Sequence, residues 1–194
     1  MNESTNLLLN LLDNAEMQYK YALALNAYYS IHDKRLPKMM YWDVFTWGEN
    51  TLYKRDISLP KANERNAVVF LSHSSLYILV TQIDTILEHL YGRNRFRKNN
   101  INDISCVARL IRNAFTHKPF HPKWLISREF RNKEYNIDSI NIKLKTNQLA
   151  NKPVKRSDYG GPTAVLKLAT LVRKLIMNNH ANVRIKEEYA RTYT

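Results

Sequence analysis

The residues with the clearest chemical potential are Arg112 and His117, which are separated by four residues. A guanidinium is a permanent cation that can hold a phosphate, and an imidazole has an ordinary pKa of about 6.5 and can move protons near neutral pH. Together they could cleave RNA without a metal ion, because they supply phosphate binding and proton transfer. The alternative is an ordinary surface or interface contact at a helix C-terminus, where a cationic imidazole is favoured in any case.

The composition indicates one folded domain that spans residues 1–194. The chain has 44% apolar residues and only 4 glycines, which is typical of a mainly helical protein and not of a disordered one. Cys106 is the single cysteine and cannot form an internal disulfide. The N-terminal residues do not resemble a secretory signal, and the apolar stretches fall short of a membrane span, so we expect a cytoplasmic protein without a membrane partner.

The charge of the chain predicts a polyanionic partner. There are 30 Lys and Arg residues against 17 Asp and Glu residues, which gives a net charge of +13. An excess of this size favours nucleic acid, here RNA, although membrane surfaces and acidic proteins are also polyanionic. A basic surface without any specific partner gives the same composition.

Helical periodicity occurs in four long segments. They cover residues 4–33, 61–91, 102 or 103 to just before Pro119, and 163–190. We expect Ser4 to cap the first helix, Asn102 or Asp103 to cap the third, and Gly92 to end the second. Residues 124–159 alternate instead, which predicts a small β-hairpin or meander inserted at about 124–160. The region from Leu36 to Pro60 shows no regular pattern.

Two further groups of side chains could contact RNA. A basic tract follows Gly92, and it could grip phosphates or could be a solvated loop whose cations favour a helix C-terminus. An aromatic cluster could stack on bases, although packing over the core is the commoner role of such residues. The tract consists of Arg93, Arg95, Arg97 and Lys98, and the aromatic cluster of Tyr41, Trp42, Phe45 and Trp47.

Other catalytic motifs are absent from the sequence. The six histidines include no HExxH or CxxC pattern, and Pro119 disturbs the spacing of His117 and His121 as a metal pair. There is no glycine-rich phosphate loop and no GxSxG elbow. His73 and His89 lie in an apolar helix, where a structural histidine is expected. We therefore expect no metal and no cofactor.

The segment from Val107 to His117 resembles the signature helix of the HEPN superfamily. In that family an Arg is followed by a polar residue, here Asn113, and four to six residues lie between the Arg and a His. The similarity is sharpest over residues 106–124. The resemblance implies an antiparallel bundle of four long helices, with the β-insertion between the third and the fourth. It also implies a homodimer whose two signature helices meet in a composite cleft.

The resemblance further implies a function and residue roles. Many members are metal-independent ribonucleases, so we expect a toxin or phage-defence endoribonuclease that forms cyclic phosphate and 5′-hydroxyl ends, partnered by an antitoxin or defence protein. His117 would be general acid or base, Arg112 would stabilise the phosphorane, and Asn113 would orient the imidazole or a phosphate oxygen. Lys118, Lys123 and the basic tract would contact RNA. The alternative is a catalytically inactive module that binds RNA or protein, because some members have lost activity.

Overall fold

The fold consists mainly of long helices with two small β-hairpins. The computed structural model describes residues 3–32, 44–48, 50–53, 59–97 and 101–192. The helices are α1 (Glu3–Ile31), α2 (Lys61–Tyr91), α3 (Asn102–Thr116), the single turn α4 (Thr146–Leu149) and α5 (Gly161–Thr192). The strands are β1 (Val44–Trp47), β2 (Asn50–Tyr53), β3 (Glu134–Ile137) and β4 (Ile142–Lys145). The predicted mainly α fold with a small β-hairpin between the third and fourth long helices is confirmed.

Helix α2 lies at the centre of the core and contacts α1, α3 and α5. Its apolar residues are too closely spaced to form one stripe, and they are buried on more than one side. Burial of each such side chain stabilises the fold by about 1.5–3 kcal/mol. The fully enclosed apolar side chains of α2 are Leu79, Val80, Ile83, Ile86 and Leu87.

Helix α2 is also long and apolar enough, by length and composition, to cross a membrane. The prediction that every apolar stretch falls short of that length is therefore wrong for this helix. The physical reason is that a core helix enclosed by other helices has the same composition as a membrane span. In this fold α2 packs against protein on several sides and carries the buried, ion-paired Asp84.

The helix ends differ in part from the sequence prediction. Gly92 follows α2 with a φ of +62°, as predicted for a terminating glycine, and its N–H donates to the Glu88 carbonyl. The capping role predicted for Ser4 is wrong because α1 already begins at Glu3. The caps predicted for α3 are also wrong: Ile101 holds the N-cap position, and Asn102 and Asp103 lie inside the helix.

Asp103 instead connects α3 to the β-insertion. Its Oδ2 accepts the N–H of Asn136 in β3 at 2.9 Å. Strands β3 and β4 pair antiparallel, and their alternating residues turn one face towards the core, as the sequence alternation predicted. The buried side chains of this hairpin are Tyr135, Ile137, Ile140, Ile142 and Leu144.

The other hairpin was missed by the sequence analysis. Strands β1 and β2 pair antiparallel around Gly48, whose φ is +58°. The signal was present, because β-branched and aromatic residues flank a turn glycine, but each strand has only four residues. Of the predicted aromatic cluster, Tyr41 and Trp42 lie outside the described residues, and the structure gives no side-chain description for Phe45 and Trp47.

Trp124 joins the start of the insertion to its end. Its side chain is fully buried, and its indole N–H donates to Asp158 Oδ2 at 2.8 Å. Its backbone N–H donates to the Lys152 carbonyl at 3.0 Å, and its carbonyl accepts the N–H of Asn151 at 2.9 Å. The start of the insertion is thereby fixed to its end, and the segment between them forms one unit.

Gly160 offers a test of how tightly the insertion packs against α5. Its φ is +78°, and a Cβ at this position would lie 2.8 Å from Ala164 Cβ and 3.0 Å from the Asn141 carbonyl oxygen. Gly160→Ala is expected to lower the free energy of unfolding by about 2–4 kcal/mol, from backbone strain together with overpacking. Gly161→Ala is the control, since its φ is +77° and the nearest atom to its Cβ, the Arg156 carbonyl oxygen, lies at an ordinary contact distance of 3.9 Å. Equal losses in the two variants, measured by chemical denaturation, would contradict the close packing.

Candidate active site at the end of α3

His117 lies at the point where α3 ends and the chain reverses. It occupies the C-cap position with helical backbone angles, and its side chain is exposed. The Ala114 carbonyl has no partner within the helix at this end, and it accepts the N–H of Lys123 at 3.3 Å. Pro119 cannot continue the helical hydrogen-bond pattern. These features fix the backbone from which the His117 side chain extends into solvent.

A cleft of about 460 Å³ beside this helix end contains all three predicted catalytic residues. Helix α3 and the insertion each provide one part of its lining, so the insertion shapes the cleft. Among the described residues, no hydrogen bond joins the Asn113 amide to the His117 ring, although the spacing predicted that the two could meet. The lining residues are Arg112, Asn113, Thr116, His117, Leu125, Ile126, Ser127, Arg131 and Asn151.

Arg112 is held by a buried carboxylate from α2. Its Nη1 donates to Asp84 Oδ2 at 2.7 Å, and the side chains of Arg112 and Asp84 are 28% and 0% exposed. A guanidinium has five N–H groups in a planar fork, and this hydrogen bond uses one of them. The carboxylate therefore fixes the orientation of Arg112, and other N–H groups remain for a ligand in the cleft.

Asp84 also binds two other arginines. Its Oδ1 accepts a hydrogen bond from Arg95 Nη2 at 2.8 Å. Its Oδ2 forms an ion pair with Arg109, whose Nε lies 2.9 Å away, but the Nε–H of Arg109 does not point at this oxygen and makes no hydrogen bond with a described residue. Glu88 Oε2 lies 3.4 Å from Arg95 and 3.5 Å from Arg109. We call Asp84, Glu88, Arg95, Arg109 and Arg112 the Asp84 cluster. Three guanidiniums against two carboxylates leave one excess positive charge beside the cleft.

The predicted role of Arg95 as an RNA contact is wrong. Its side chain is only 1% exposed, and it also donates from Nη1 to the Asp84 carbonyl at 2.6 Å. A buried guanidinium must be paired to offset its lost hydration, and Asp84 supplies that pairing. A phosphate of RNA cannot reach this side chain, so Arg95 is part of the core and not of a basic loop.

The other predicted RNA contacts have different outcomes. Lys118 and Lys123 are exposed just after α3 but do not line the cleft. Arg93 and Arg97 lie in the short 3-10 helix Gly92–Arg97, and the structure gives no description of their side chains. Lys98 lies outside the described residues. A role in RNA binding stays a prediction for these five residues.

Sequence reasoning missed two residues of this region. Asp84 was visible as a carboxylate inside an apolar helical run, a position that requires a partner, but the sequence does not say which cation supplies it. Arg131 brings a second guanidinium to the cleft, and its Nε donates to the Ile126 carbonyl at 3.4 Å. No sequence signal marked Arg131, because its place depends on how the insertion folds back.

His73 supports the turn that follows α3. Its Nδ1 lies 3.1 Å from the Pro119 carbonyl oxygen, and its ring meets Phe115 edge to face. Burial lowers the pKa of His73, the Pro119 carbonyl opposes that shift, and the positive charges of Arg156 and His121 lower the pKa further. A neutral ring with Nδ1–H donating to the carbonyl fits these contacts, in agreement with the predicted structural role.

Within the described residues, no group of three or more His, Cys, Asp or Glu side chains is placed to hold a metal ion. Comparison of the chain with protein-family models, curated proteins and solved structures finds no match.

Proposed function

We propose that this chain is a HEPN-type endoribonuclease that cleaves RNA without a metal ion. The supporting observation is a single cleft lined by both the exposed His117 imidazole and the Arg112 guanidinium that Asp84 orients. The net charge of +13 supports a polyanionic substrate. The 2′-hydroxyl of RNA supplies the nucleophile, so neither an activated water nor a protein nucleophile is needed.

The proposed reaction is an internal transesterification. The ribose 2′-oxygen attacks the adjacent phosphorus while His117 accepts its proton, and the bond from phosphorus to the 5′-oxygen breaks. The leaving 5′-oxygen takes a proton from an imidazolium, which gives cyclic phosphate and 5′-hydroxyl ends. Arg112 stabilises the added negative charge of the phosphorane, and Asn113 orients the imidazole or a phosphate oxygen.

A second copy of the chain would complete the site. One copy brings one His117 to the cleft, whereas concerted cleavage uses a base and an acid on opposite sides of the phosphate. A homodimer formed through the helix that carries Arg112 and His117 would supply both. In the cell, we propose a toxin or phage-defence role, restrained by an antitoxin or a defence partner protein.

The direct test uses single-stranded RNA with the purified chain in excess EDTA. We expect cleavage into cyclic phosphate and 5′-hydroxyl products, and no cleavage of the same sequence with 2′-O-methyl groups, because these block the nucleophile. Equal cleavage of the methylated strand, or cleavage only after a divalent ion is added, would overturn the mechanism. The mass of the protein in solution tests the proposed homodimer separately.

The second candidate is a catalytically inactive module that binds RNA or a protein. The observation that favours it is the Arg112–Asp84 ion pair, since a carboxylate at 2.7 Å already neutralises part of the charge that catalysis needs. This candidate predicts salt-sensitive RNA association with the strand left intact.

A further inference from the structure

A second cleft, of about 310 Å³, lies where the end of α1 meets the start of α2. We call it the Arg65–Arg156 cleft. It is separate from the cleft of Arg112 and His117, because the two clefts share none of their described lining residues. None of the described residues that line it is a carboxylate. They are Asn26, Tyr29, Ser30, Arg65, Val68, Val69 and Arg156.

The two arginines of this cleft come from distant parts of the chain. Arg65 belongs to the first turns of α2, and Arg156 begins the short 3-10 helix Arg156–Tyr159. Both are exposed, and neither makes an ion pair with a carboxylate of the described residues. Two guanidiniums that line one small cleft, with no counter-ion from the described part of the chain, repel each other and attract an anion. Their forks favour a phosphate, which can accept two parallel N–H hydrogen bonds from each.

The Asn26 side chain adds a polar group to the same wall. One amide N–H of Asn26 donates to Ser72 Oγ at 3.4 Å, which leaves the other free. The Ser30 hydroxyl donates to the Asn26 backbone carbonyl at 2.8 Å and thereby stays at the cleft wall. The apolar part of the lining comes from Val68 and Val69. The cleft thus combines cationic and amide donors with a small apolar surface.

The turn after His117 connects this cleft to the candidate active site. Phe120 of that turn contacts Phe70 of α2, with ring centroids 4.1 Å apart, and Phe70 follows directly after Val69. The charge of Arg156 is close enough to His73 to lower its pKa, and His73 holds the Pro119 carbonyl of the same turn. The turn after His117 therefore packs against the stretch of α2 that also lines the Arg65–Arg156 cleft.

We propose that the Arg65–Arg156 cleft binds a phosphate group, and that in an RNA complex this is a second phosphate of the strand whose scissile phosphate lies at His117. The identity of the strand rests on the proposed function, whereas the phosphate chemistry of the cleft does not. A free phosphate monoester, such as a mononucleotide, is the other source of the same group.

The test measures binding without cleavage. Single-stranded RNA of 12 nucleotides, labelled at one end, is titrated with the His117→Ala chain and with the same chain carrying Arg65→Gln or Arg156→Gln. Each arginine variant is expected to weaken binding by roughly 5-fold and to reduce the slope of log affinity against log salt by about 0.7.

Lys174→Gln is the control, because it removes one exposed positive charge that lies away from the cleft. Lys174 is next to Arg173 of α5, which pairs with Asp13 towards the other end of α1. The control should change affinity by less than about 2-fold, as an effect of net charge alone.

Calorimetry with adenosine monophosphate and with inorganic phosphate identifies the source of the phosphate. If the wild-type chain binds adenosine monophosphate or inorganic phosphate, and both arginine variants lose this binding but keep their RNA affinity, the cleft binds a free phosphate. If both arginine variants behave like Lys174→Gln towards RNA, mononucleotide and phosphate, the proposal is overturned. If the wild-type chain leaves RNA intact and the arginine variants bind RNA more weakly, the cleavage proposal is overturned and the phosphate site in this cleft is supported.

Discussion

His117→Ala is expected to lower the rate of RNA cleavage by about 100- to 10,000-fold, the usual contribution of a general acid or base. The variant should fold normally, because the imidazole is exposed and has no hydrogen-bond partner among the described residues. Its RNA affinity should change little, since the cationic side chains around the cleft remain. The measurement is a single-turnover cleavage rate, with thermal denaturation to check the fold.

His121→Ala is the matched control for this prediction. His121 is also exposed and lies four residues further along the same turn, but it does not line the cleft. We expect its cleavage rate to stay within about 3-fold of the wild-type rate, because a surface residue away from the site contributes little. Equal losses in the two variants, or wild-type activity in His117→Ala, would remove His117 from the mechanism. Arg112→Ala is less informative, since it also changes the Asp84 cluster.

Asp84→Asn is expected to lower the free energy of unfolding by about 3–5 kcal/mol, because it removes the buried partner of a charge. The amide has nearly the shape of the carboxylate, so packing is preserved and the loss is electrostatic. Arg95, which is 1% exposed, is left without its closest counter-ion. Arg112 also loses the group that orients it, so the cleavage rate should fall under conditions in which the variant is still folded.

Glu88→Gln is the control for Asp84→Asn. Glu88 approaches two of the same arginines at 3.4 and 3.5 Å, but its side chain is 52% exposed. Water already solvates that carboxylate, so its removal should cost less than about 1 kcal/mol. Urea denaturation of both variants gives the comparison. A loss in Glu88→Gln as large as that in Asp84→Asn would show that net charge, and not the buried pairing, stabilises the cluster.

The sequence predicts the helices better than it predicts the groups that surround the site. Helical periodicity located all four long helices, and Pro119 indicated where α3 ends. The place of His117 at that end could be read from the sequence because it depends only on local structure. The capping residues were wrong because Asp103 makes a tertiary hydrogen bond with Asn136, and local capping preference does not include such a competitor.

The partners of Arg112 could not be predicted because they come from remote segments. Asp84 is 28 residues from Arg112 in the chain, and only the packing of α2 against α3 brings them to 2.7 Å. Arg95 was predicted to be a loop cation because it follows a terminating glycine, but the 3-10 helix turns it inward. Arg131 reaches the cleft through the fold of the insertion. In each case the sequence gives the charge, and the tertiary structure decides whether that charge faces the cleft or another residue.

The burial of Asp84 against Arg95 means that the fold can be separated from the orientation of Arg112. A buried ion pair replaced by apolar residues of similar volume is often neutral or stabilising, so Asp84→Leu combined with Arg95→Met can keep the helices together. The other two arginines of the cluster are 24% and 28% exposed and can turn towards water. A variant with both replacements would keep its architecture while Arg112 lost its fixed orientation. The architecture and the orientation of Arg112 are therefore separable, and the proposed cleavage depends on the second.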